Sequence, residues 1–107
     1  MITPDDINAA YQKLHAAQVE VHNATVSVLD AKERLAKRRA ELLESGDIDG
    51  KNAETREAQI KVRTEREAEG AAMADGLMRE AELRFRCAQL GVERVKTLLK
   101  FLEVTRT

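Results

Sequence analysis

A chain of 107 residues has room for one domain, at a size where a single hydrophobic core is barely sufficient. Charged residues make up 35% and the hydrophobic class 43%, with 3% aromatic and one proline, Pro4, which is the composition of long charged helices with an aliphatic seam. Eighteen basic against nineteen acidic residues leave a formal charge of -1, so the chain as a whole carries no electrostatic footprint for nucleic acid or an anionic membrane.

The opening residues, Met1-Ile2-Thr3-Pro4-Asp5-Asp6, have neither the basic start nor the apolar run of an export signal, and no uncharged apolar stretch reaches membrane-spanning length. The expected setting is cytoplasmic. A single cysteine, Cys87, suits a reducing compartment, and beside a small seam position it reads as a core thiol.

Thr3-Pro4-Asp5-Asp6 has the order of a helix start, with a hydroxyl cap, proline in the first turn and acids at the positive end of the helix dipole. Helix one is expected over about residues 4–45. Ile7, Leu14, Val21, Val28, Leu35 and Leu42 recur every seventh residue, and Ala10, Ala17, Ala24 and Ala31 follow three residues after the first four. Large aliphatics alternating with alanine at this spacing predict a coiled coil whose helices approach closely. The cations Lys32, Arg34, Lys37, Arg38 and Arg39 suit the helix end, and Ser45-Gly46 supplies a left-handed stop.

Residues 46–52 hold two glycines, two aspartates and an asparagine, a tight connection with Ile48 as a plug and Asn52 or Asp49 as the next cap. As a calcium loop from Asp47 this turn fails, with Lys51 at the fifth position, Asn52 at the glycine position and Ala58 at the twelfth. As a phosphate loop it is one residue short and lacks the hydroxyl that holds magnesium.

Helix two is expected over about residues 53–104, with stripes at Met78, Phe85, Val92 and Leu99 and at Ile60, Ala74, Ala81, Ala88, Val95 and Leu102. Glu67 interrupts the second stripe, and the glycines of residues 70–76 allow a break there. A continuous helix is favoured by the spacings Glu57–Lys61, Glu80–Arg84 and Glu82–Arg86, and the glycines then mark a close helix crossing. His15 and His22 stand seven residues apart without carboxylates placed to share a metal, so surface histidines are expected and no metal or cofactor is.

The run Leu43-Glu44-Ser45-Gly46-Asp47-Ile48-Asp49-Gly50-Lys51-Asn52-Ala53-Glu54-Thr55-Arg56-Glu57-Ala58 resembles the central turn of small helical-hairpin proteins carried by bacteriophages and prophages. In those, a glycine, a short gap, Gly-Lys-Asn and a Glu/Arg-rich helix start separate two coiled-coil arms. The resemblance implies a phage-type accessory protein with no assigned activity, and it carries no site residues with it.

The expected fold is therefore all-α, a long antiparallel two-helix coiled-coil hairpin that dimerises into a four-helix bundle. Pairing about Ile48 sets Leu35 near Val62, Val21 near Gly76 and Leu77, Leu14 near Leu83, and Ile7 near Leu90, and leaves the residues after Gly91 overhanging. The expected function is a non-enzymatic protein-interaction or scaffolding module, a homodimer with a further protein partner and no small-molecule substrate. Its interface residues are Val95, Leu98, Leu99, Phe101 and Leu102 on the overhang, with Val19, Val26 and Leu29 off the seam of helix one. An intrachain alternative kinks helix two at Gly91 and folds its end over Ile2. Two functional alternatives stay open: a nucleic-acid accessory protein using Arg34, Lys37, Arg38 and Arg39 with the stretch from Lys96 to Arg106, and a phage-type inhibitor of a host enzyme.

Overall fold

The computed structural model describes residues 1–105, so Arg106 of the nucleic-acid reading lies outside the described residues. Those residues form three helices and no strand: α1 (Pro4–Ser45), α2 (Ala53–Arg63) and α3 (Glu65–Thr105). The chain divides into two compact units, one of Met1–Ala24 with the stretch from Met78 onward, the other of Thr25–Leu77.

The first unit packs the start of α1 against the second half of α3. Thr3 caps α1 reciprocally with Asp6: the Asp6 N–H donates to Thr3 Oγ1 at 3.2 Å and the Thr3 N–H to Asp6 Oδ2 at 2.8 Å. Two backbone donors that the first turn would otherwise leave unpaired are thereby satisfied. Every expected seam residue of this stretch of α1, from Ile7 to Ala24, is buried or half-buried, as are Met78, Ala81, Phe85, Ala88, Val92 and Val95 of α3. Ala17 and Ala81 are buried because a methyl group at the seam brings the backbones close enough to exclude water. Helix α3 runs through Gly91 without interruption, and Leu98, Leu99, Phe101 and Leu102 stay exposed.

The second unit contains the turn. Gly46 has φ +79°, the left-handed conformation that ends α1, with Ser45 Oγ donating to the Leu42 carbonyl at 3.0 Å. Asn52 is the cap of α2, its Oδ1 accepting from the Thr55 N–H at 2.8 Å. Asp49, the other capping candidate, accepts from Gln59 Nε2 at 2.8 Å, while Gln59 Oε1 accepts from the Gly50 N–H at 3.0 Å. One side chain of α2 thus clamps the connection from both sides. A Cβ on Gly50 would stand 2.8 Å from the Arg56 backbone nitrogen, which is why glycine occupies that place. Leu42 is the most enclosed large side chain, with Val28 and Ile60 also buried and the plug Ile48 half-buried.

The second helix is interrupted, but at Thr64 and not within residues 70–76. Thr64 has φ −110° and ψ 12°, and its hydroxyl donates to the Ile60 carbonyl at 2.8 Å in competition with the backbone ladder. The Thr64 N–H still reaches Ile60 O and the Ala68 N–H reaches Thr64 O, both at 2.9 Å, so the seam keeps its phase across the break. Thr64 is itself a buried seam residue, one turn after Ile60. The glycines Gly70 and Gly76 have nothing within 4 Å of an added Cβ, so they do not mark a close crossing within the chain. Glu67 is half-buried at the seam, and its Oε2 has no hydrogen-bond partner among the described residues.

Candidate interaction surfaces

The cross-helix charges differ from those expected at helical spacing. Arg84 Nε donates to Glu20 Oε2 at 2.7 Å and not to Glu80, and Glu57 accepts from Arg39 Nη2 and not from Lys61. Only Glu82–Arg86 forms as spaced, at 4.0 Å. A coiled coil offers carboxylates on the neighbouring helix at the same reach as those one turn away, and here the neighbour wins. The Glu20 carboxylate raises the Arg84 pKa still further, by hydrogen bond first and charge second.

The basic end of α1 is largely paired within its unit. Arg38 approaches Glu41 at 3.7 Å, Lys32 approaches Asp75 at 3.9 Å, and Arg39 holds Glu57. Arg34 and Lys37 are exposed. The cluster that looks basic in one dimension is therefore interleaved with carboxylates in three.

Of the expected interface residues, Val19, Val26, Leu29, Leu98, Leu99, Phe101 and Leu102 are exposed and Val95 is half-buried at the seam. A second set of apolar residues differs from expectation. Val62, Leu77, Leu83 and Leu90, expected to face helix one, are 73%, 55%, 60% and 69% exposed. The seam places in α2 and α3 are taken by Ile60 and Thr64, by Ala74 and Met78, by Ala81 and Phe85, and by Ala88 and Val92. Counting residues from the turn located the level along each helix but not the rotation about it. The usable signal was the seven-residue stripe itself, which Leu83 and Leu90 do not share.

Cys87 likewise is exposed and not a core thiol. It precedes the seam residue Ala88 by one, a rotation of about 100° on an α-helix, and so turns to the side. There it borders an open groove of about 690 Å³ in the first unit, whose α1 wall includes Ala9, Ala16 and Ala17 and whose α3 wall includes Leu83, Ala88 and Gly91. His15 and His22 are exposed on α1. Among the described residues no three His, Cys, Asp or Glu side chains are grouped to hold a metal ion, and no helix is long and apolar enough to cross a membrane. Comparison of the chain with protein-family models, with curated proteins and with solved structures finds no match.

Proposed function

We propose that this chain is a non-enzymatic interaction or scaffolding module that acts through coiled-coil self-association, two hairpins pairing into a four-helix bundle. The observation that supports it is the imbalance between its buried and exposed apolar side chains. Among the described residues the buried hydrophobic set is Ala17, Val28, Leu42, Ile60, Ala71, Ala81 and Val92, three of them alanines. Exposed on the same helices stand Val19, Val26, Leu29, Val62, Met73, Leu77, Leu83, Leu90, Phe101 and Val104, among others. Each leucine or phenylalanine moved out of water gains about 1.5–3 kcal/mol, so a second chain covering even part of this surface adds substantially to a small core.

The reading is that of a phage-type hairpin accessory protein working in the cytoplasm, in keeping with the turn of residues 46–52 and a single exposed thiol. A further protein partner, including a host enzyme held in check, fits the same exposed faces. Nucleic-acid binding is the less supported alternative, because Arg38 and Arg39 already face Glu41 and Glu57. Sedimentation equilibrium of the full chain tests the proposal: a dimer is expected, and a monomer at every concentration overturns it. A mobility shift on DNA or RNA at low salt, with a steep salt dependence, would favour the alternative.

A further inference from the structure

Glu80, Leu83, Cys87, Leu90 and Arg94 recur on α3 at alternating steps of three and four residues, and all five are exposed. That spacing makes a stripe along one side of a helix, separate from the stripe of Ala81, Phe85, Ala88 and Val92 that meets α1. The second stripe therefore has the pattern of a coiled-coil seam and no helix against it in the first unit. We propose that a second copy of this chain docks here, with the two α3 helices antiparallel and centred on Cys87. The inference rests on the self-association proposed above and assigns it a face.

Charge selects both the occupant and its direction. Glu80 lies seven residues before Cys87 and Arg94 seven residues after it. Antiparallel pairing about Cys87 sets Glu80 against Arg94 of the partner subunit, and by symmetry does so twice. Parallel pairing would set Glu80 against glutamate and Arg94 against arginine. The ion pairs of the first unit, Arg84–Glu20, Arg86–Glu82 and Lys96–Glu93, use neither residue. Leu83 and Leu90 flank the centre four residues before it and three after, so each meets the other's copy with an offset of one residue, about 1.5 Å along the helix.

Shape agrees with charge. Beside the stripe, the α1 wall of the groove is made of Ala9, Ala16 and Ala17, and a Cβ added to Gly91 would meet nothing within 4 Å. Methyl groups and a glycine give a docking helix room to approach α3 and touch α1 together, at the spacing of about 8–10 Å that packed helices adopt. The charged side chains of the groove are Asp6, Lys13, Glu20 and Arg84, and Arg84 is already held by Glu20, so that cation costs an incoming helix less to cover than a bare one.

The test is sedimentation equilibrium of the chain and five variants: E80R, R94E, the double swap E80R/R94E, L83K/L90K and V19K/V26K. The expected result is a wild-type dimer whose dissociation constant rises roughly tenfold in each single charge variant and returns close to wild type in the double swap. L83K/L90K should weaken it by roughly a hundredfold or more, with the helical circular dichroism signal retained. If the lysines reduce helicity, the charge swap decides alone, because both of its positions lie in solvent in the single chain. A dimer indifferent to L83K/L90K, or a double swap no better than its parents, overturns this face while leaving self-association standing, as would loss of the dimer in V19K/V26K alone. A wild-type chain that is monomeric throughout overturns both.

Discussion

Arg84 donates to the Glu20 carboxylate at 2.7 Å across 64 residues of sequence, and this pair ties the start of α1 to the second half of α3. Both side chains are about half in solvent, so the contact reports the pairing of the two helices more than it stabilises them. Arg84→Ala and Glu20→Ala should each lower the melting temperature slightly and by non-additive amounts, and high salt should abolish the coupling. A double-mutant cycle at low and high salt measures this. Fully additive effects at low salt would show the pair to be absent in solution.

The Thr3–Asp6 capping pair makes a pH prediction. Hydrogen bonds from the Thr3 backbone first and its side chain second hold the Asp6 carboxyl below its ordinary pKa. A depressed folded pKa means the carboxylate's contribution is fully present above the unfolded value and is lost as pH falls through the folded one. The order of the first turn of α1, followed by the Asp6 amide signal in NMR, should therefore decline only in strongly acidic solution. Asp6→Asn should remove that step, and Thr3→Val should move it toward the ordinary aspartate range.

Core substitutions should divide by size. Leu42, 1% exposed, should cost about 2–5 kcal/mol when cut to alanine. At Ala81, 2% exposed, the opposite change is the damaging one: Ala81→Leu should cost about 1–3 kcal/mol by forcing the helices apart. Urea unfolding measures both. A neutral Ala81→Leu would mean that the alanines do not set the helix separation.

Two positions should improve on substitution. Glu67 holds a seam place with one oxygen unpartnered, and Glu67→Leu should stabilise by about 1–2 kcal/mol. Gly70 lies within α3 with open space around it, and Gly70→Ala should add about 0.5–1 kcal/mol through helix propensity. Gly50→Ala is the contrasting case, destabilising because the Arg56 and Thr55 backbone must move.

The seam was legible in the sequence because a seven-residue period is imposed by helix geometry: every residue from Ile7 to Leu42 assigned to it is buried or half-buried. The Thr3 and Asn52 caps and the Gly46 stop were legible for the same local reasons. The break at Thr64 was not, because a propensity below that of Arg63 and Glu65 by less than about 1 kcal/mol does not by itself end a helix, and threonine interrupts this one by bonding the Ile60 carbonyl from a buried position. Arg39–Glu57 and Arg84–Glu20 were missed because helical spacing offered each residue an equally plausible partner nearby. Leu83 and Leu90 were misread because counting back from a turn fixes height and leaves rotation free, and Cys87 because adjacency to the seam residue Ala88 was taken for burial although one residue turns the helix by about 100°.

On the proposal above, the exposed apolar stripes are covered by another copy of the chain. Sedimentation equilibrium of the 107-residue chain, from roughly 1 to 100 µM in moderate salt, reads this out, since subunit association follows mass action. A species of twice the 12.0 kDa chain mass that dissociates on dilution is expected. A single 12.0 kDa species across the whole range would contradict it.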